Sequence, residues 1–257
     1  MHCLVFDIET VPDVALGRRL LGLDGADDRT VAAAMFARRA AETGSEFLSF
    51  EQHRVVAISA ALRSGDQWQL WSIGSEDSPE EELLRRFFGG LERVRPTLVS
   101  WNGSGFDLPV LHYRMLRHGI AAPVYWDTGE LDRDFRWNNY LNRYHARHLD
   151  LMDVLSGYQA RGRAGLDRVA ALLELPGKLG MSGEKVWDAW CEGRIAAIRA
   201  YCETDVLNTY LVYLRFELLR GHLDAAGLAA ETGRVRAWLA TRPEPHWQEF
   251  ASAWTAV

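Results

Sequence analysis

The sequence predicts an α/β protein built on a mixed sheet of about five strands with helices on both faces. Three observations carry this. Residues 3–8 form a short apolar run with two β-branched residues, the pattern of a buried strand. Residues 54–63 and 67–73 read as two strands, and the Ser64-Gly65-Asp66 break between them makes a hairpin. Beyond residue 79, helix-like and strand-like segments alternate, as they do where later strands run parallel to the first.

The elements follow in order. Residues 14–50 read as a helical insertion, with Asp27 or Asp28 capping a helix through Ala32–Ala41 and Gly44 just past its end. Ser78-Pro79-Glu80-Glu81 marks a helix start, with serine at the cap, proline in the first turn and acids at the positive end of the dipole. That helix is expected to run to about Phe88, before Gly89-Gly90. Thr97–Trp101 reads as a strand, and a helix from about Phe106 to His118 ends at Gly119. A short strand is expected near Leu149–Met152, then helices over 166–174, near 185–191 and from about 194 to 220, the last stopped by Gly221. The tail reads as helical to Thr241, with Pro243 and Pro245 breaking it. Residues 1–220 thus form one domain carrying the insertion, with 221–257 as a helical tail packed on it.

The chain has 257 residues, 48% of them hydrophobic and 25% charged, enough for a sizeable core without staples. No apolar run approaches the roughly 20 residues needed to span a bilayer. The N-terminus runs straight into a strand without a basic leader. Cys3, Cys191 and Cys202 fit no CxxC pattern, so free thiols in a reducing cytoplasm are expected. A net charge of −6 argues against coating nucleic acid through a broad basic field, but leaves room for a local groove that takes a strand end.

The chemistry lies in four acids. Asp7 and Glu9 stand two apart on the first strand, so both face the same way. Carboxylates so close repel unless a cation lies between them, and the neighbouring Leu4-Val5-Phe6 reads as buried. Asp107 lies where a strand, a Gly-Ser-Gly turn and a helix meet; the alternative for it alone is a helix-start acid. Tyr201 and Asp205 stand four apart on one helix face. Together these residues point to a site for divalent metal. Oxygen-only ligands suit Mg²⁺ or Mn²⁺, and no His/Cys cluster favours zinc.

These motifs resemble the DEDD superfamily of 3′–5′ exonucleases. Phe6-Asp7-Ile8-Glu9-Thr10 is similar to the first motif, Asn102-x-x-x-Phe106-Asp107 to the second and Tyr201-x-x-x-Asp205 to the third. The histidine type has His five before the last Asp, where this chain has Ala200, so the resemblance is to the DEDDy type. It extends over roughly residues 3–219 and is nearest to the predicted exonucleases related to the proofreading domain of family-B DNA polymerases. It includes His148-Leu149-Asp150-Leu151-Met152-Asp153 and Pro176-Gly177-Lys178-Leu179-Gly180-Met181.

The resemblance implies an RNase H-like fold and hydrolysis of single-stranded 3′ ends, releasing nucleoside 5′-monophosphates with two divalent ions. It implies that Asp7 bridges both ions, that Glu9 and Asp205 complete the water-bearing site, and that Asp107 holds the second ion. Tyr201 would orient the attacking water, and a phenol with a pKa of about 10 suits positioning better than general-base work. Thr10, Asn102 and Phe106 would meet the terminal nucleotide; the alternative for Phe106 is core packing. DNA is favoured over RNA, with repair or replication proteins as conceivable partners.

Other residues invite a reading. If residues 131–148 are helical, Trp137, Tyr140 and Tyr144 share a face among arginines that include Arg143, a pattern that holds single strands by stacking; the alternative is an amphipathic helix with those rings in the core. Lys178 and Lys185 flank a Gly-rich loop and are candidates for phosphate contact. His148, Asp150 and Asp153 read as strand-end and helix-cap residues. The rival classes are an exoribonuclease, a small-nucleotide phosphoesterase and a catalytically idle nucleic-acid-binding module.

Overall fold

The first strand sorts its side chains by parity, and the whole architecture follows from that sorting. In this computed structural model, which describes residues 1–254, β1 spans His2–Pro12. Its even residues Leu4, Phe6 and Ile8 enter one apolar layer, while Cys3 and Val5 enter another on the opposite face. Asp7 and Glu9 continue the odd series and so point to the second face.

The remaining strands are β2 (His53–Ser64), β3 (Gln67–Ser72), β4 (Thr97–Ser100) and β5 (His148–Asp150). The sheet order is β3-β2-β1-β4-β5, with β1–β2 and β2–β3 antiparallel and β1–β4 and β4–β5 parallel. This is the mixed five-stranded sheet the sequence predicts. The register of β1 on β2 shifts between Glu9 and Thr10, a bulge immediately after the acidic pair.

Between β1 and β2 stand α1 (Val14–Leu21) and α2 (Asp28–Thr43). Asp27 caps α2 by accepting the Thr30 amide, and Gly44 closes it in a left-handed conformation. After the hairpin come α3 (Glu80–Val94), α4 (Asp107–His118) and the short α5 (Pro123–Trp126). Two expectations for α3 fail. Its N-cap is Pro79, with no side-chain cap, and it runs through Gly89-Gly90 to Val94 because Leu84, Phe87, Phe88 and Leu91 form one continuous buried stripe.

The chain continues with α6 (Leu151–Leu155), α7 (Leu166–Leu172), α8 (Val186–Cys191), α9 (Ile195–Leu219), α10 (Ala225–Leu239) and α11 (Pro245–Ala253). Pro245 begins α11 where the sequence suggested a break, since proline fits the first helical turn. Helix α9 is buried on most of its circumference and spans the second face of the sheet, with α10 and α11 packed on its outer side. The buried pair of Arg63 and Glu231 ties β2 to α10, with Tyr210 of α9 donating its hydroxyl to the same carboxylate.

Residues 131–148 do not form the helix considered above. They hold a single 3₁₀ turn at Arg133–Arg136 and otherwise run irregularly until His148 enters β5. Tyr140 is buried, with its hydroxyl on the Pro96 carbonyl, while Trp137 and Tyr144 are exposed, so the three rings share no face. The part of the expected tail at 255–257 lies outside the described residues. Among the described residues no helix is long and apolar enough to cross a membrane.

Candidate active site

The acids gather at the carboxyl ends of the parallel strands, where open α/β sheets form their crevices. Asp7 is half-buried and Glu9 buried; with Cys202 of α9 they offer ligand atoms that all lie within 4.8 Å of one another. The Cys202 thiol donates to the Asp7 carbonyl at 3.4 Å. Sequence reading gave this thiol no place in the site; its adjacency to Tyr201 in the third motif was the signal.

Asp107 reaches the cluster from α4. The β1–β4 pairing extends only to Val5 opposite Val99, which leaves later amides on that edge of β1 to other partners. Asp107 Oδ1 accepts the Ile8 amide at 3.2 Å. The turn before it is built for close approach. Asn102 is left-handed at φ 65°, and a Cβ on Gly103 or Gly105 would collide with Ser100 or Asn102. Asp150, at the end of β5, accepts the amides of Asn102 and Ser104 at 2.9 Å each while also capping α6. That is the cap role expected of Asp150. His148 lies beside it with Nε2 2.9 Å from Ser100 Oγ.

Helix α9 supplies Tyr201 and Asp205, both buried. One turn on, Asn208 is bonded through its side-chain amide to both the N–H and the carbonyl of Gly177, at 3.2 and 2.9 Å. This pins the 176–180 loop so that the Lys178 ammonium stands 5.4 Å above the Tyr201 ring. Lys185 instead donates to the Gly180 carbonyl within its own loop.

Burial and mutual repulsion make these acids reluctant to ionise. Burial, then the charges of Asp107 and Asp205, push the Asp7 carboxyl well above its usual range. Glu9 is raised well above its range by burial and then by Asp7, Asp205 and Asp107. Burial raises Asp107 to about 7 and Asp205 to about 6. The Tyr201 phenol is driven far upward by burial, then by Asp205, Glu9 and Asp7. Asp205 Oδ1 is buried without any hydrogen-bond partner. Asp7 and Glu9 stand close enough to share a divalent cation, with Asp107 and Asp205 near enough to repel them; a cation there would relieve that repulsion and offer a partner near the orphaned Asp205 oxygen.

A cleft of about 990 Å³ opens beside Glu9 and is lined by Thr10, Phe47, His53, Phe106, Lys178 and Trp187, among others. Thr10 Oγ1 lies 2.9 Å from His53 Nδ1. Phe106 packs partly against the core, yet its ring also faces this cleft, 5.1 Å from His53 and 5.5 Å from Phe47. Phe47, from the segment after α2, is 57% exposed. Nothing in its sequence neighbourhood marks it, because the insertion meets the site only in three dimensions. A second groove, about 820 Å³ between α3 and β3, contains none of the four acids.

Of the expected contact residues, Thr10, Phe106 and Lys178 line the acidic cleft, and Asn102 shapes the turn that delivers Asp107. Arg143 and Tyr144 stand apart, beyond the 102–108 turn. A model of the family described as "Predicted 3'-5' exonuclease related to the exonuclease domain of PolB" matches residues 45–254. Asp7 and Glu9 precede the matched stretch and enter the site on geometry alone. No curated protein matches the sequence.

Proposed function

Because the chain belongs to the family of predicted 3′–5′ exonucleases related to the exonuclease domain of PolB, we propose that it removes nucleotides from the 3′ end of single-stranded nucleic acid, DNA by preference, as a DEDDy-type enzyme releasing 5′-monophosphates. The five-stranded mixed sheet is consistent with an RNase H-like exonuclease fold. The observation that carries the reading is that carboxylates from β1, α4 and α9 stand near enough to repel one another, with Tyr201 beside them and Glu9 lining the adjoining cleft.

In this reading Asp7, Glu9, Asp107 and Asp205 hold two Mg²⁺ or Mn²⁺ ions. Such ions, when bound, neutralise phosphate charge and make a water more acidic. In the metal-free site, burial and then the charges of Asp205, Glu9 and Asp7 raise the Tyr201 phenol far above its ordinary value, which favours a positioning role over proton transfer. It therefore positions water by a hydrogen bond and does not remove a proton from it. Lys178, held over Tyr201, meets the phosphate as a point charge. The rings of Phe47 and Phe106 hold the terminal base by stacking, with Thr10 at its sugar and Asn102 at the turn behind it.

The exonuclease domain in this proposal is residues 1–220, and α10 and α11 form a tail that buttresses α9. Three free thiols suit a reducing, cytoplasmic setting. End-labelled DNA and RNA oligomers of matched sequence, with a nucleotide diester as control, test the proposal. Stepwise shortening from the 3′ end of DNA is expected in Mg²⁺ or Mn²⁺. Faster trimming of RNA would reassign the substrate, cleavage of the diester alone would make the protein a small-nucleotide phosphoesterase, and binding without cleavage would leave a non-catalytic module.

A further inference from the structure

Cleavage at a 3′ end fixes the last nucleotide, but the strand behind it needs a seat as well. We propose that Arg143, Tyr144, Tyr158 and Arg163 form a clamp that holds the phosphates and bases of a single strand on the 5′ side of the scissile bond; this rests on the exonuclease reading.

The clamp is organised by one buried acid. Asp153, at 2% side-chain exposure, accepts Nη2 of Arg143 at 2.6 Å and Nη2 of Arg163 at 2.7 Å. Two guanidinium groups against one carboxylate leave one positive charge over. Each arginine spends only its Nη2 on Asp153, so the Nε and Nη1 donors of both have no protein acceptor among the described residues. The two side chains are 42% and 35% exposed, so these donors are open to a ligand. Arg147, in the same segment, is different: it donates to the Asn138 carbonyl and lies 4.3 Å over Phe135.

Two rings flank Arg143. Arg143 stands 5.7 Å over Tyr144 and 5.3 Å over Tyr158, and the rings meet edge to face at 4.9 Å. Tyr144 is 69% exposed. Tyr158 holds a left-handed backbone, φ 61°, a conformation that bulky residues rarely adopt, and its amide is locked onto the Asp153 carbonyl at 2.7 Å. Tyr158 is half-buried and backs the exposed Tyr144 ring. An exposed ring beside planar guanidinium groups with donors to spare is the chemistry that grips single strands without choosing sequence.

The position suits the role. Arg143, Asp153 and Arg163 line a cleft of about 270 Å³ together with Ser104 and Leu108, the residues on either side of the Asp107 region. Phe106, from the same turn, lines the acidic cleft instead. The turn therefore separates two openings: one for a terminal nucleotide and one for the strand that leads to it.

The triple variant Arg143→Gln, Arg163→Gln, Asp153→Asn tests this without leaving a buried charge unpaired, and Tyr144→Ala tests the exposed ring. Binding of a fluorescent single-stranded oligomer of about 10 nucleotides is followed by anisotropy in Ca²⁺ across a salt series. Hydrolysis of the p-nitrophenyl ester of thymidine 5′-monophosphate in Mn²⁺ is measured alongside. The triple variant should bind the oligomer roughly 10-fold more weakly, with a salt slope smaller by about 0.7 for the one net positive charge removed. Tyr144→Ala should weaken binding about 5-fold or more. Ester hydrolysis and melting temperature should stay as in the parent protein. Unchanged oligomer affinity, or a parallel loss of ester hydrolysis, overturns the clamp. A parent protein that cleaves neither substrate defeats the exonuclease reading instead, and the anisotropy series still decides the clamp.

Discussion

Asp107 accepts the backbone amide of Ile8, so the acid of the second motif is fastened to the strand between the two acids of the first, across 99 positions of sequence. The bond exists because β4 is too short to occupy that edge of β1. It fixes Asp107 without using its second oxygen. Asp107→Asn keeps an acceptor for Ile8 and removes only the charge. The expected outcome is a folded protein that melts no lower than the parent and has lost oligomer hydrolysis, checked by a thermal melt beside an end-labelled assay. Near-normal turnover in this variant would remove Asp107 from the metal site.

Metal-free protein should lose stability as pH rises. The folded state binds protons at Asp7, Glu9, Asp107 and Asp205 more tightly than the unfolded chain, whose carboxyls titrate near about 4. Groups raised on folding favour the folded state below their folded pKa, and that advantage declines between the unfolded value and the folded one. Two folded values lie at about 6 and about 7. In EDTA, then, the melting temperature should fall from pH 5 to pH 8 and the fall should be shallower in Asp107→Asn. Mn²⁺ should restore stability most at the alkaline end, where the acids are ionised and bind it best. A flat melting profile in EDTA would contradict the crowding of these acids.

Tyr201→Phe separates positioning from proton transfer. In the metal-free site, burial and then Asp205, Glu9 and Asp7 raise this phenol far above its ordinary value, so the proposed role is to position water and not to titrate near neutrality. Its loss misplaces the attacking water, which costs on the order of 100-fold in turnover. The slowing should be uniform between about pH 6 and 9, because the group lost does not ionise in that range. A variant whose pH–rate profile loses its alkaline or acidic limb would show that Tyr201 carries a proton after all.

The parity of β1, the hairpin at Ser64-Gly65-Asp66 and the Tyr201/Asp205 spacing were legible because each is a local pattern with one geometric outcome. Residues 131–148 misled because aromatic and basic residues at helical spacing say nothing about whether the backbone closes its hydrogen bonds. Here Asn139 accepts the amides of Leu141 and Asn142, and the chain turns instead. The α3 boundary misled because a glycine pair counts as a stop only where packing does not carry the helix onward. Arg114 was out of reach altogether. It pairs with Asp13 at 2.7 Å and with Glu80 in a fully buried network, joining the start of the insertion to α3 and α4 across 101 and 34 positions. Contacts of that range leave no periodic trace in a single sequence. Phe47 was out of reach for the same reason, since it meets Phe106 only across the fold.

Phe47 therefore offers a test of the insertion's purpose. The ring is 57% exposed at the mouth of the acidic cleft, 5.5 Å from both Phe106 and His53. Because it is mostly in solvent, Phe47→Ala should change stability by no more than about 0.5 kcal/mol. If it stacks on the terminal base, oligomer binding should weaken by about 1–3 kcal/mol, while Phe47→Tyr, which keeps a ring face, should bind nearly as the parent does. The effect should be alike for every terminal base, because each presents a π-face. Binding measured by anisotropy with oligomers ending in each of the four bases, beside a denaturant melt, checks both halves. Equal affinity for the alanine variant and the parent would make the ring a cover for His53 and Phe106, and the insertion would then have to serve the site by shape alone.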